Sequence, residues 1–254
     1  MIKNNAGIPM EHPNLDITKL ARQETLPDIP RKIRWKARFF GKQVISDYLW
    51  NYYERESEMR VPFYLPYIYV KENFDYLRRY GRIPRNQISL VLIDGNDERI
   101  DYFLFEFLQE LNFLTIVTDR KEYFEGLQER AFQELGLIID LIRPWEEKNL
   151  CGNLVWDFTE NLQRSDCYPD GSICFMPHKK EWKIRETLKS CGKITAAVVK
   201  NVETNGECIF PDLAETLLVP RNFPFRKSRC EELQKWCKKQ KWNVKMRAWS
   251  LEKP

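Results

Sequence analysis

Histidine is scarce in this chain of 254 residues, which contains only His12 and His178. General acid–base and nucleophilic mechanisms near neutral pH most often use a histidine, so few residues are available for such a catalytic pair. The nucleophile motif G-x-S-x-G is missing as well. The sequence therefore gives no indication of serine or cysteine hydrolase chemistry.

Long apolar runs are also missing from the sequence. No segment approaches the about 20 consecutive apolar residues that a membrane-spanning helix needs. The first residues, MIKNNAGIPMEHPN, lack the basic-then-apolar pattern of a secretory signal peptide. We therefore expect a cytoplasmic protein without a membrane partner.

The seven cysteines form no recognisable metal or disulfide framework. They all lie between Cys151 and Cys237, their number is odd, and none belongs to a C-x-x-C pair. The tightest candidate ligand group joins Cys167 to Cys174 and His178, whereas zinc sites usually contain two closely spaced ligand pairs. We therefore predict reduced cysteines and no metal site.

Charge is distributed unevenly along the chain, although the net charge is only +4. Basic residues outnumber acidic ones by 16 to 10 in residues 1–86 and by 19 to 11 in residues 161–254, whereas residues 87–160 have 6 basic and 16 acidic residues. The three segments therefore carry +6, +8 and −10. Because opposite charges attract, we expect much of the basic charge to face the acidic middle segment.

Two segments concentrate the basic residues, 31–42 (RKIRWKARFFGK) and 226–247, and the second contains nine Lys or Arg. In the first segment the basic residues are interleaved with Trp35, Phe39 and Phe40, a combination that can bind phosphates and stack on bases. Aromatic residues at helical spacing are nevertheless more often core residues. Nucleic-acid binding is therefore one interpretation of these segments, but not the favoured one.

Residues 1–86 predict an N-terminal arm followed by a helical and aromatic extension. Four prolines in the first thirty residues indicate an extended arm. Residues 31–60 have apolar side chains at three- and four-residue spacing, which predicts helix, and Gly41 is expected to break it in two. The aromatic segment 61–70 is β-prone, although its prolines exclude a central strand, and residues 71–81 predict a short helix.

Residues 87–160 alternate between strand-like and helix-like segments. Apolar runs of strand length occur at 88–94, 113–119, 137–144 and 153–160, and amphipathic helical segments separate the first three. A parallel neighbour cannot be reached by a tight turn, so this order predicts parallel strands joined by right-handed crossovers. The predicted fold is an α/β, Rossmann-like, doubly wound and mainly parallel sheet with an N-terminal helical extension.

Residues 161–254 predict a C-terminal α/β half. The segment YPDGS (168–172) predicts a turn, KITAAVVKN (193–201) a strand, TNG (204–206) a turn, and WNVKMRAW a closing strand. Gly192 is expected to end a helix that precedes the first of these strands. One arrangement open to this half is continuation of the same sheet.

Polar residues follow the predicted parallel strands, at the edge where open α/β sheets bind their ligands. Asn96 is also expected to cap the helix after the first strand. Arg143 and Thr159 follow the last two strands of residues 87–160. The candidate ligand-binding residues are Asp94, Gly95, Asn96, Asp119, Arg120 and Asp157.

The segment LVLIDGN, an amphipathic helix and LTIVTDR follow one another in residues 87–120. This order resembles the opening β-α-β unit of Rossmann NAD(P)-binding domains, with Gly95 alone standing for the family's G-x-G-x-x-G. The resemblance implies that Asp119, 24 residues after Gly95, contacts the ribose hydroxyls and that Arg120 faces a 2′-phosphate when the cofactor is NADP. The leading function is therefore binding of a nucleotide or another small phosphorylated ligand.

Two other functions remain open. LVLIDGN is also similar to the first strand of NYN and PIN-type metal-dependent nucleases, a resemblance that implies Asp94 as a Mg²⁺ ligand with Asp119 and Asp157 as partners. Such a protein would be a Mg²⁺-dependent nuclease or phosphohydrolase. The third interpretation is a non-catalytic interaction scaffold, because a Rossmann-like fold does not by itself imply a reaction. The sequence does not indicate the oligomeric state.

Overall fold

The computed structural model describes residues 16–58, 63–146, 150–160, 168–191, 193–204, 207–220 and 223–250. Gly192, residues 205–206 of the predicted turn and Cys167 of the candidate metal group lie outside the described residues. Within the described part of the chain, no helix is long and apolar enough to cross a membrane.

Among the residues that the structure describes, the core of the fold is one sheet of eight strands whose first six are mutually parallel. Apolar and β-branched side chains dominate these strands and are buried, as expected where helices cover both faces. The strands are β1 Ser89–Ile93, β2 Phe113–Val117, β3 Ile138–Ile142, β4 Leu154–Asp157, β5 Ile173–Phe175, β6 Thr195–Thr204, β7 Glu207–Ile209 and β8 Asn243–Trp249. The order of the parallel strands is β3-β2-β1-β4-β5-β6, so it reverses between β1 and β4.

Helices cover both faces of this sheet, which confirms the predicted Rossmann-like, doubly wound α/β class. Phe124, in the helix Lys121–Leu135, packs in a large apolar cluster with Leu90 and Leu92 of β1. Ile184, in the helix Glu181–Cys191, packs on the other face with Val91. The helices are α1 Ile17–Leu20, α2 Arg31–Phe40, α3 Gln43–Glu58, α4 Leu65–Ile68, α5 Val70–Tyr80, α6 Arg99–Phe107, α7 Lys121–Leu135, α8 Glu181–Cys191, α9 Pro211–Leu218 and α10 Lys227–Lys239.

The strands of residues 161–254 continue the sheet of residues 87–160. Strand β5 pairs with β4, and β6 pairs with β5, both in parallel. Ala196 of β6 pairs with both Cys174 and Trp249, so β5 and β8 lie on opposite edges of β6. The antiparallel β8 therefore lies outside the parallel strands.

Residues 31–58 of the extension form two helices, α2 and α3, as the spacing of their apolar residues predicts. Helices α2 and α3 are separated at Gly41, whose φ of 84° is accessible to glycine at little cost. The β-prone prediction for residues 61–70 is wrong in its described part, where α4 and the start of α5 are helical. The buried Glu215 of α9 accepts the backbone N–H groups of Tyr64 and Leu65 at 2.7 and 2.8 Å, and this distant cap stabilises the helical start.

Candidate functional site

Asp94 follows β1 at the carboxyl edge of the sheet and is paired with Arg120, which follows β2. The Arg120 Nε and Nη2 atoms donate to the two carboxylate oxygens of Asp94 at 2.8 and 3.0 Å. The Thr118 hydroxyl and the Asn96 backbone N–H donate to the same carboxylate at 2.7 and 2.9 Å. The hydrogen bonds to Asp94 raise the pKa of Arg120 above its ordinary value, so this guanidinium stays charged.

These contacts fill the acceptor capacity of Asp94. Each carboxylate oxygen accepts two hydrogen bonds, and the side chain is completely buried. A metal ion bound to Asp94 would have to displace Arg120, a fixed cation that already neutralises the carboxylate. The geometry therefore indicates a positioning role, in which Asp94 holds Arg120 at the rim.

Asp157 ends β4 and is saturated in the same way by a different set of donors. Its Oδ1 atom accepts from the backbone N–H and hydroxyl of Thr159 at 2.8 and 2.7 Å. Its Oδ2 atom accepts from the Tyr168 hydroxyl at 2.5 Å and from Lys179 Nζ at 2.6 Å. Burial, reinforced by the adjacent Asp157, raises the pKa of Tyr168 well above its ordinary value, so this hydroxyl keeps its proton.

The two carboxylates belong to opposite faces of the sheet. Asp157 pairs with Ile93 in parallel register, so these two side chains share a face, and Asp94 is the next residue along β1. Arg120, the partner of Asp94, lies over the ring of Phe124, whereas Tyr168, a partner of Asp157, packs with Val91 and Ile93. Each carboxylate is therefore enclosed by its own network.

This arrangement does not support the predicted metal centre of Asp94, Asp119 and Asp157. The side chain of Asp119 is exposed, and among the described residues no group of three His, Cys, Asp or Glu is placed to hold a metal ion. A hard divalent cation needs carboxylate oxygens with vacant lone pairs, and the acceptor sites of Asp94 and Asp157 are already occupied. Asp94 and Asp157 are therefore not available as metal ligands, and the structure does not support the nuclease interpretation.

Gly95 and Arg99 lie at the switch point, where the strand order reverses between β1 and β4. A Cβ atom at Gly95 would lie 2.5 Å from the carbonyl oxygen of Phe158, so only glycine fits between the two strand ends. Arg99, in the first turn of α6, donates from Nη2 to the same carbonyl at 3.0 Å and forms an ion pair with Asp97. The switch point therefore contains a guanidinium held against the backbone.

The Arg99 side chain is only 3% exposed, and one of its donors is unsatisfied. Its Nη1 atom has no hydrogen-bond partner within the described part of the chain. Its guanidinium carbon lies 4.4 Å from the centre of the Phe63 ring. A buried N–H group without an acceptor costs free energy, so an acceptor supplied by a ligand or by water would stabilise this group.

The helical extension covers one side of the switch point with aromatic rings. The Tyr67 ring is stacked near Phe158, with ring centroids 6.1 Å apart, and its hydroxyl lies 2.8 Å from Nε2 of His178. Both Tyr67 and His178 are buried. Burial raises the pKa of Tyr67 above the range in which tyrosines ordinarily titrate, so the phenol stays neutral.

The remaining predicted residues are distributed around the rim. Asp119 and Asn96 are exposed, and Arg120 is partly exposed. Asn96 does not cap α6 as predicted, because its φ is 62° and Glu98 occupies the cap position. The structure thus brings together Asp94, Asn96 and Arg120, and it places Gly95 against the residue that follows Asp157.

Sequence reasoning missed the residues that neutralise the site, namely Arg99, Lys179 and their neighbours. Lys179 follows β5, so inspection of the end of that strand in the segment CFMPHKK would have found it. Arg99 follows Asp97 and Glu98 at the start of the helix after the first strand. The N-terminus of a helix favours anions, so a basic residue at this position indicates a binding site for an anion. Neither signal predicts which carboxylate each cation contacts.

Comparisons with known proteins identify no family for this chain. No family model matches the chain, and no curated protein matches it. The chain is similar to the solved ligand-free form of 5-ketofructose reductase of Gluconobacter sp. strain CHM43, with 6% identity and a TM-score of 0.36. The similarity covers 65% of this chain and 62% of that chain, so the chain spans less than two thirds of the reductase. The fold class therefore rests on the strand order and pairing described above.

Proposed function

We propose that the protein binds a small phosphorylated ligand of the nucleotide class at the switch point, with Arg99 as the main anion contact. The observation that carries the proposal is the unsatisfied Nη1 donor of this buried arginine among the described residues. A phosphate oxygen is an acceptor of the kind that a guanidinium binds most strongly.

The position of Arg99 supports this assignment. In doubly wound sheets, ligands bind beyond the carboxyl ends of the strands where the strand order reverses, and Arg99 lies there between β1 and β4. It also belongs to the first turn of α6, where backbone N–H groups and the helix dipole favour an anion. These two features point to the same class of ligand.

The predicted rim residues have separate roles in this proposal. Asp94 orients Arg120, whose guanidinium is partly exposed and can contact a second phosphate. Asp119 presents an exposed carboxylate after β2 to the ribose hydroxyls, as the resemblance to NAD(P)-binding domains implies. Asp157 holds Lys179 in the interior and does not contact the ligand. Gly95 permits the close approach of the two strand ends.

Thermal unfolding with added ligands tests the proposal. NAD, NADP, ATP and inorganic pyrophosphate would each be added in excess, with and without Mg²⁺. A ligand at 100 times its dissociation constant stabilises the native state by about 2.7 kcal/mol, which raises the melting temperature by about 5–10 °C in a chain of this size. We expect such a shift for at least one of these compounds.

Variants at Arg99 locate the binding site. Arg99→Gln should abolish the ligand-induced shift, and Arg99→Lys should reduce it because an ammonium lacks the two-pronged geometry of a guanidinium. Arg130→Gln, on the exposed face of α7, is the matched control and should retain the full shift. An undiminished shift in Arg99→Gln would refute the proposed contact.

A non-catalytic scaffold is the second candidate, and it has an observation of its own. The switch point is closed on one side by the contact between Gly95 and Phe158 and covered by Phe63 and Tyr67 of the extension. These contacts cover the Arg99 guanidinium, whose side chain is only 3% exposed. If none of the four compounds changes the melting temperature, the scaffold becomes the better interpretation.

A further inference from the structure

Helix α2 presents large aromatic side chains outside the body of the protein. All ten of its residues are described and none is buried. Trp35, Phe39 and Phe40 are 58%, 67% and 73% exposed. Single exposed apolar side chains are normal at protein surfaces, but three large ones in one short helix are not. Such a cluster indicates an interaction site.

The orientation of α2 separates an inner face from an outer one. Ile33 and Ala37, one turn apart, are the two residues that are partly buried, and α2 packs against α3. At 100° per residue, Trp35 and Phe39 lie on the opposite side of the helix. Their rings contact each other, with centroids 4.8 Å apart. Gly41 then redirects the chain, so the outer face of α2 is not continued by α3.

The same helix is surrounded by positive charge. Residues 31–42 contain six basic residues and no Asp or Glu. None of the six forms an ion pair with a residue in the described ranges, so the acidic middle of the chain does not neutralise them as the sequence led us to expect. The basic residues are Arg31, Lys32, Arg34, Lys36, Arg38 and Lys42.

We propose that α2 binds the surface of a membrane that contains anionic phospholipids, with Trp35 and Phe39 inserted at the level of the headgroups. A helix with exposed aromatic side chains among Lys and Arg binds such a surface through apolar burial and through attraction to the lipid charge. This proposal is independent of ligand binding at the switch point. It differs from the expectation, drawn from the sequence, that the protein has no membrane partner.

Charge and ring geometry favour a lipid surface over two other occupants. A second copy of residues 31–42 would bring six more cations to the same surface, which opposes association through this face. A single-stranded nucleic acid would stack its bases on open ring faces, but the rings of Trp35 and Phe39 are tilted by 52° and pack on each other. An anionic lipid surface accommodates both the paired rings and the surrounding cations.

Co-sedimentation of the full chain with lipid vesicles tests the proposal. We expect binding to vesicles of equimolar phosphatidylcholine and phosphatidylserine and little binding to vesicles of phosphatidylcholine alone. Each basic residue near an anionic surface changes the partition coefficient by about fivefold, so Lys32→Gln combined with Lys36→Gln should lower it about 25-fold. Trp35→Ser combined with Phe39→Ser should lower it by about tenfold or more.

Matched controls and a second measurement separate insertion from nonspecific adsorption. Trp182→Ser removes another exposed tryptophan. Lys235→Gln combined with Lys238→Gln removes two exposed charges from α10. Neither of these control variants should reduce binding to the vesicles. Brominated phosphatidylcholine in the anionic vesicles should quench tryptophan fluorescence in the parent protein and much less in Trp35→Phe.

Three results would overturn the proposal. The first is equal loss of binding in the α2 variants and in their controls. The second is absence of sedimentation with anionic vesicles. The third is binding to a single-stranded oligonucleotide, lost in the α2 variants, without any binding to vesicles. Trp35 and Phe39 are more than half exposed, so unfolding of these variants is not expected, and circular dichroism would verify this.

Discussion

Replacement of Lys179 by methionine removes the cation from the network around Asp157. The Lys179 Nζ atom lies 2.6 Å from Asp157 Oδ2, and both side chains are completely buried. Methionine has similar length and flexibility, so the substitution changes the charge and leaves little empty space. The Asp157 carboxylate keeps its three other donors, which come from Thr159 and Tyr168, but it loses its only described ion-pair partner.

The expected cost follows from this burial. Removal of one partner of a buried ion pair costs about 3–5 kcal/mol, because the remaining charge is not compensated. In a chain of this length each kcal/mol lowers the melting temperature by about 2–4 °C, so the variant should melt about 6–20 °C lower. Replacement of Asp157 by asparagine in the same chain should recover part of this loss, because the uncompensated charge is then absent.

Urea unfolding of the parent protein, Lys179→Met and the double variant measures these differences. Lys193→Met is the control, since Lys193 forms an ion pair of similar length, 2.7 Å, with the exposed Asp170. An exposed pair is screened by water, so the control should change the unfolding midpoint much less. A cost below about 1 kcal/mol for Lys179→Met would refute the conclusion that Asp157 depends on a buried cation.

Two further predictions follow from the packing. Gly95→Ala should destabilise the protein by about 1–3 kcal/mol, because the added Cβ atom would lie 2.5 Å from the Phe158 carbonyl oxygen. Gly126→Ala in α7 is the control and should stabilise the protein by about 0.5–1 kcal/mol, because no described atom lies within 4 Å of the added Cβ. Thermal unfolding of the two variants measures both effects. Burial raises the pKa of Asp212 from 3.8 to about 6, so the folded state holds this proton more tightly and stability should fall as the pH rises from about 4 to about 6. Asp212→Asn should flatten that decline in urea titrations, and an unchanged slope would contradict the assignment.

The parallel sheet could be predicted because its signals are local. The continuous apolar runs that became β1, β2 and β3 are typical of strands covered by helices, and the helices between them favour parallel pairing. The helical start of α4 could not be predicted in this way. Its cap, Glu215, lies about 150 residues away along the chain, so no local pattern contains it.

The candidate site could be predicted only in part. The rule that polar residues follow strand ends located Asp94, Arg120 and Asp157 correctly at the edge of the sheet. It did not predict that the two carboxylates are turned to opposite faces and saturated, because face and partner depend on strand register. Lys179 follows β5, a strand whose position in the sheet the sequence did not determine.

The cap that Glu215 provides for α4 has a consequence for biosynthesis. A ribosome releases the chain from its N-terminus, so Tyr64 and Leu65 emerge long before the carboxylate that accepts their N–H groups. Until that carboxylate is synthesised, the aromatic segment around Tyr67 lacks the cap that stabilises its helix. Its side chains, which are buried in the folded protein, are then exposed to solvent and prone to aggregation. Newly made chains should therefore depend on chaperones up to a late point in translation, and nascent chains truncated before α9 should remain sensitive to protease.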